Sequence, residues 1–186
     1  MSSWNFYVDV EFTRPSSGFK PFSAGVRLIQ GTPYSHVRLK WSNPYMEKRG
    51  LPPLEVVYEA SGSAVKVIGE YGQPDVKVLK TYRIQVNKEQ YGKLIQLFRF
   101  ANVDYGKLQI LGILLVKIFG LKKNPLTKGR LSQVCSELVA VFFKEVLEWD
   151  FDVNLDIAGP KEIDRYLQKI INSGKFTYVK ILKDVS

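Results

Sequence analysis

The chain has 186 residues, with 27 Lys and Arg against 18 Asp and Glu, a single His and a formal net charge of +9. This length suits one domain, and we expect residues 1–186 to fold as a single unit around its own core. Because 45% of the residues are hydrophobic and 13% aromatic, disorder of the whole chain is excluded. One Cys and one His exclude a disulfide framework and a His/Cys metal cage, so we expect no metal and no cofactor.

The sequence also favours a location and a kind of partner. Residues 4–13 alternate polar and apolar as in a strand and do not resemble a secretory signal, so we expect a cytoplasmic protein. The longest apolar stretch, 108–120, is too short to span a bilayer and contains Lys117. The net charge favours acidic partners, whether nucleic acid or anionic lipid, and charge alone does not select between them.

In chain order, the first half predicts strands and the second half predicts helices. Alternating apolar residues predict strands over 4–13, 34–41, 55–60, 64–71 and 76–86, and Ser23 predicts the cap of a short helix over 23–29. Helical patterns follow over 88–101, 107–119, 133–148 and 160–171, and a closing strand is predicted over 176–182. This order predicts an α+β fold in which an antiparallel sheet from the amino-terminal half packs against carboxy-terminal helices.

Cys135 is predicted in the first turn of a helix, because Ser132 is a residue type that favours N-caps. Unpaired amides and the helix dipole at that end stabilise a thiolate. The spacing also puts Cys135 on one apolar stripe, which fits a buried structural cysteine as well. The other members of that stripe are Leu138, Val139, Phe142 and Val146.

His36 lies at the start of the predicted strand 34–41, where a surface histidine is common. Nucleophilic catalysis by Cys135 would need this imidazole to take the thiol proton and later protonate the leaving group. It would also need a third polar group to orient the ring. A cysteine at a helix start and a histidine on a strand make up the papain-type arrangement, which the sequence alone does not bring together in space.

Three segments of the chain carry a resemblance to a known family. TPYSHVRL (32–39), VVYEASGSAVKV (56–67) and QVCSELVAVFF (133–143) are similar to segments of the circularly permuted papain-like cysteine hydrolases of the NlpC type, which are related to lecithin retinol acyltransferase-like proteins. The order of His before Cys is the reverse of papain's and marks the permuted branch. IAGPKEIDRYL (157–167) resembles the family's segment before its last helix.

The resemblance implies a permuted papain-like fold and a thiol amidase or peptidase, acting on cell-wall peptides in the NlpC-type relatives and on lipid acyl groups in the acyltransferase-like relatives. It implies Cys135 as nucleophile, His36 as base and Glu59 as the group that orients His36. The backbone N–H of Cys135 is the simplest donor to the oxyanion, and Tyr34, two residues before His36, is a candidate second donor.

The positions of the residues also support Glu59 as the group that orients His36. If the strands that carry His36 and Glu59 are neighbours, the two side chains can lie side by side. Glu59 also shares its face with Val57, an unusual position for a carboxylate that has no partner. Glu55 and Tyr58 are the alternatives on the same strand, and a solvated charge at the strand end is the alternative role for Glu59.

Two basic residues depart from the family's pattern. Arg38 stands where the family commonly has Gly, and Lys40 adds a second charge on the strand face that carries His36. These side chains either bias the cleft towards an acidic acyl or peptide substrate or point to water.

The segment 107–130 combines apolar residues with lysines, and no acidic residue occurs from 105 to 136. This pattern fits either a helix buried in the core or an interfacial segment that contacts an anionic membrane. Nucleic-acid binding is a third interpretation that rests on charge, since no recognition motif accompanies it. A non-catalytic binding protein for nucleic acid or an anionic surface is therefore the alternative to an enzyme, and the sequence indicates no oligomeric state.

Overall fold

The computed structural model describes residues 6–18, 20–43, 46, 49–51, 54–61, 64–69, 75–126, 132–154, 157–174 and 178–185. Its strands in these ranges are β1 (Phe6–Pro15), β2 (His36–Ser42), β3 (Glu55–Ser61), β4 (Ala64–Gly69), β5 (Val76–Val86), β6 (Asp104–Tyr105), β7 (Ser132–Gln133) and β8 (Val179–Asp184). They form one sheet in the order β7-β6-β4-β3-β2-β1-β5-β8. All neighbouring strands in this order pair antiparallel except β6 and β7, which form a short parallel pair.

The helices are α1 (Pro21–Gln30), α2 (Lys88–Gln96), α3 (Lys107–Phe119), α4 (Cys135–Val141) and α5 (Pro160–Asn172). A 3₁₀ turn over Leu97–Phe100 continues α2, and a π-helical turn over Phe142–Val146 continues α4. The protein is therefore a mixed α+β fold built on an antiparallel sheet, as the order of the predicted elements indicates. Among the described residues, no helix is long and apolar enough to cross a membrane.

Most predicted elements agree with the structure to within a few residues, and two predicted caps are wrong. The first helix begins at Pro21 rather than after Ser23, because proline fits the first helical turn. Ser132 lies in β7, and Val134 is the residue that precedes α4. The predicted positions 4–5, 70–71, 127–130 and 176–177 lie outside the described residues.

The core lies between the sheet and the helices α2, α4 and α5. The apolar side of β2 is buried, with Val37 and Leu39 at 0% exposure. Helix α4 packs against β2 and β3. The predicted apolar stripe is confirmed, since Leu138 and Val139 of α4 and Phe142 and Val146 of the π-helical turn are all fully buried. Each such side chain contributes about 1.5–3 kcal/mol to folding, so α4 is held firmly against the strands that carry His36 and Glu59.

The strand register gathers charged side chains on neighbouring strands. Thr13 and Glu11 on β1 lie opposite His36 and Arg38 on β2. The condition for contact between His36 and Glu59 is met, because β2 and β3 are antiparallel neighbours. Directly opposed residues on paired strands project to the same side of the sheet. The register therefore brings the ionisable groups of β1, β2 and β3 close together.

Candidate active site

The structure brings the only His and the only Cys of the chain into contact. His36 is the first residue of β2, and Cys135 is the first residue of α4. The Cys135 sulfur lies close enough to the His36 ring for its charge and hydrogen bonding to raise the pKa of His36. Cys135 is 4% exposed, whereas the His36 side chain is 17% exposed, so the ring lies at the edge of the core. An imidazole and a thiol in this arrangement can exchange a proton.

The charge of His36 is controlled by its neighbours. Burial favours the neutral ring, but the negative charge of Cys135, its hydrogen bond and the hydrogen bond to Glu59 outweigh burial and raise the pKa of His36 to about 10. A group whose folded pKa lies above its ordinary value of about 6.5 keeps its proton through neutral pH. His36 is therefore an imidazolium that pairs with the Glu59 carboxylate on one side and has Cys135 as its neighbour on the other.

Glu59 is the partner on the other side of the ring. Its Oε2 lies 3.3 Å from His36 Nε2, and Ser61 Oγ donates a 2.5 Å hydrogen bond to its Oε1. Burial raises the pKa of this carboxyl, but the hydrogen bonds from His36 and Ser61 and the charges of His36 and Arg38 prevail and lower it to about 2. With only 1% of Glu59 exposed, it is a buried, ionised anchor and not a solvated charge at a strand end.

A second buried ion pair lies behind Glu59. Arg38 is 2% exposed, and its Nη2 lies 2.8 Å from Glu11 Oε2. The expectation that Arg38 faces the cleft or solvent is wrong, because the three-strand register turns it towards two carboxylates. Its Nη1 lies 3.9 Å from Glu59 Oε2, so the guanidinium bridges Glu11 and Glu59. Lys40 is also paired, with its Nζ 2.6 Å from Glu55 Oε2.

The alternatives to Glu59 have other partners. Glu55 forms the ion pair with Lys40. Tyr58 donates its hydroxyl to the carbonyl of Leu97 at 2.5 Å, and its side chain is fully buried in the core. Of these three residues of β3, only Glu59 contacts His36 among the interactions that the described residues make.

The start of α4, which carries Cys135, is anchored by three contacts. Glu137 Oε2 accepts a 3.0 Å hydrogen bond from the backbone N–H of Val134, and Glu137 Oε1 accepts one from Gln109 of α3. Ser136 Oγ donates to the carbonyl of Ala158 at 2.6 Å. These contacts fix the first turn of α4, which matters because a nucleophile must be held in one geometry.

Tyr34 belongs to a different cluster. Its hydroxyl donates a 2.8 Å hydrogen bond to Asp164 Oδ2, and Lys80 Nζ and Tyr82 bind the same carboxylate. Burial and the hydrogen bond to Asp164 raise the pKa of Tyr34 above its usual range, so the hydroxyl stays protonated. Its one proton is engaged with Asp164, which contradicts the prediction of Tyr34 as a second oxyanion donor. Tyr34 and Asp164 instead line a cavity of about 350 Å³ together with Lys161.

Sequence reasoning missed two groups that support the site. Glu11 and Ser61 are, respectively, the buried partner of Arg38 and the hydrogen-bond donor to Glu59. The only available signal was a carboxylate, Glu11, between the apolar residues Val10 and Phe12 of a predicted strand. In the part of the chain that the structure describes, no group of three or more His, Cys, Asp or Glu side chains is placed to hold a metal ion.

Comparison with known proteins does not place the chain in a family. No family model matches its sequence, and no curated protein matches it. What the protein does is therefore inferred from the motifs of its sequence and from the contacts of Cys135, His36 and Glu59.

Proposed function

We propose that the protein is a cysteine hydrolase of the permuted papain-like kind, with Cys135 as nucleophile, His36 as general base and acid, and Glu59 as the group that orients His36. One observation carries the proposal. The chain has one Cys and one His, far apart in sequence, and they meet at the start of a helix with a buried carboxylate on the far side of the ring. Nucleophile, base and orienting group in this order are what a catalytic triad requires.

The reaction follows from these positions. His36 holds the proton of the thiol, and the Cys135 thiolate attacks the substrate carbonyl carbon to form a carbon–sulfur bond. The oxyanion is stabilised at the start of α4, where the backbone N–H of Cys135 is the candidate donor. His36 then protonates the leaving group as the bond to it breaks, which leaves a thioester on Cys135. Water attacks this thioester with His36 as base, which releases the acid and restores the thiol.

An amide is the substrate bond that we favour, because Cys-Ser-Glu-Leu-Val at 135–139 resembles the cell-wall peptide branch of the family. An ester of a lipid acyl group, as in the acyltransferase-like relatives, passes through the same thioester. The two differ in the leaving group that His36 must protonate. An amine leaves only when protonated, so amide cleavage depends more strongly on His36 than ester cleavage does.

The test of the pair is the rate of Cys135 alkylation by iodoacetamide as a function of pH. A free thiol ionises near about 8.5, so its alkylation rate falls steeply below that pH. We expect wild type to keep a high rate at pH 6–7, because the His36 imidazolium stabilises the thiolate there. In His36→Ala this low-pH reactivity should be lost, while alkylation above pH 9 remains.

A wild-type protein that alkylates as a free thiol does, or a His36→Ala variant with an unchanged profile, would show that Cys135 is structural. The protein would then be treated as the non-catalytic alternative, a basic binding protein. For that alternative, binding to nucleic acid should fall steeply with ionic strength and ignore Cys135→Ala. If the pair is active, amide and phospholipid ester substrates are the next to be screened, with Cys135→Ala as the inactive control.

A further inference from the structure

Helix α3 has two apolar faces, and only one of them is covered. Ile113 and Leu114 pack with Val26 of α1 and with Val134, the residue before α4. On the other side, Ile118 is 56% exposed and Phe119 is 68% exposed. Leu108 and Leu111, at 49% and 44%, lie on that same side, because 3.6 residues per turn bring positions 108, 111, 118 and 119 onto one arc. We call these four side chains the outer face of α3.

Exposed lysines follow the carboxy-terminal end of the outer face of α3. Lys122 and Lys123 are exposed just beyond its end, next to Leu121, which is 43% exposed. No acidic residue occurs from 105 to 136. Lys117 is paired with Glu162 at 2.6 Å, so among the lysine side chains described in this segment the exposed charge is on Lys122 and Lys123.

The neighbouring helix α1 also carries an exposed apolar side chain and an exposed lysine. Helix α1 packs against α3 through Val26, and Phe22, one helical turn earlier, is 47% exposed. Lys20 is exposed at the start of α1, and the chain from 12 to 46 contains no acidic residue. Two packed helices thus present aliphatic and aromatic side chains with a basic border and no acidic residue of their own.

We propose that the outer face of α3 docks on an anionic lipid surface. A lipid surface matches both features, because aliphatic side chains enter the boundary of the acyl chains while lysines meet the anionic headgroups. A second copy of the chain fits less well, since both copies would bring the same lysines and neither α1 nor α3 has an acidic residue to pair with them. Nucleic acid would use the lysines but has no place for Leu108, Leu111 and Ile118.

Docking through this face would place the candidate active site close to the membrane. Gln109 of α3 donates to Glu137 in the first turn of α4, and Val134 packs against the buried side of α3. The start of α4 is thus attached directly to the docking helix. This consequence rests on the proposed function, whereas docking itself does not, so the two can fail separately.

The test is flotation of the purified full chain at low salt with vesicles of phosphatidylcholine alone or mixed with phosphatidylglycerol. We expect wild type to float with the mixed vesicles and much less with phosphatidylcholine alone. Ile118→Gln/Phe119→Gln and Lys122→Glu/Lys123→Glu should each lower the partition constant at least about tenfold. The matched control is Ile181→Gln/Leu182→Gln on β8, where the side chains are 44% and 45% exposed and the partition constant should not change.

A second measurement keeps the proposal testable if the double variants do not fold. An environment-sensitive dye is attached to Ile118→Cys in a Cys135→Ser background. Its fluorescence emission should shift to the blue on mixed vesicles, whereas the emission of the same dye on Leu182→Cys should not. Absence of flotation for a folded wild type would overturn the proposal. So would a fall in the partition constant of the β8 control as large as that of the outer-face variants. A dimer abolished by Ile118→Gln/Phe119→Gln, without vesicle binding, would assign the face to self-association. Duplex DNA binding that needs only Lys122 and Lys123 would assign it to nucleic acid.

Discussion

Arg38 places its guanidinium 3.9 Å from Oε2 of Glu59, the same oxygen that lies 3.3 Å from His36 Nε2. On its other side Arg38 holds Glu11, with Nε and Nη2 each 2.8 Å from the Glu11 carboxylate. Glu11, Arg38, Glu59 and His36 therefore form a run of alternating charge that crosses three strands and ends at Cys135. Alternation matters because each buried charge is compensated by its neighbours.

Arg38→Met should destabilise the protein strongly, because it leaves the carboxylates of Glu11 and Glu59 buried without their shared cation. We expect a loss of about 3–5 kcal/mol in the free energy of unfolding, measured by urea denaturation. Glu11→Gln/Arg38→Met, which removes one of the two stranded charges, should recover part of that loss. A cost below about 1 kcal/mol for Arg38→Met would show that the guanidinium is dispensable for the charge run.

Glu59→Gln should change how stability depends on acid. The folded pKa of Glu59 is about 2, below its ordinary value of 4.5, so the carboxylate contributes stability above pH 4.5 and loses it as the pH falls towards 2. The difference in unfolding free energy between wild type and Glu59→Gln should thus be largest above pH 5, by about 3 kcal/mol, and shrink towards pH 2. Glu145→Gln, which changes a half-exposed carboxylate, is the control, and a difference that is constant from pH 2 to 6 would contradict the assignment.

Tyr34→Phe separates the Asp164 cluster from the Cys135–His36 pair. The variant keeps the ring that packs 4.9 Å from Phe12 but removes the hydrogen bond to Asp164. A hydrogen bond to a charged group contributes about 1.5–3 kcal/mol, so stability should fall by this amount. The pH profile of Cys135 alkylation should stay as in wild type. A changed profile would show that the Tyr34 hydroxyl acts on the Cys135–His36 pair.

Thr13→Val should stabilise the protein. Thr13 lies opposite His36 in the β1–β2 register and is fully buried, and its Oγ1 has no hydrogen-bond partner among the described residues. An unsatisfied buried hydroxyl costs about 1–3 kcal/mol, and valine has nearly the same shape. We expect a gain of about 1 kcal/mol in thermal or urea unfolding. Thr13→Ser, which keeps the hydroxyl and loses the methyl group, should destabilise instead, and a loss of stability in Thr13→Val would show that the hydroxyl is used.

Local spacing made much of the fold predictable. Alternation over 76–86 and helical periodicity over 107–119 predicted β5 and α3 with their observed bounds, and Cys135 was predicted in a first helical turn. These features depend on residues two to four positions apart, whose relation is the same in any strand or helix. The sequence also limited the chemistry, since one Cys and one His leave a single candidate pair.

The tertiary structure decided which partners these side chains have. Arg38 was expected in the cleft or in water but is buried between two carboxylates, and Tyr34 was expected at the oxyanion but donates to Asp164. Partner choice depends on the register of β1, β2 and β3 and on where α5 packs, and such contacts join residues far apart in the chain. The division of α3 into a buried and an exposed apolar face has the same origin. Its sequence is apolar on both sides, and the positions of α1, Val134 and Asn124 determine which side is covered.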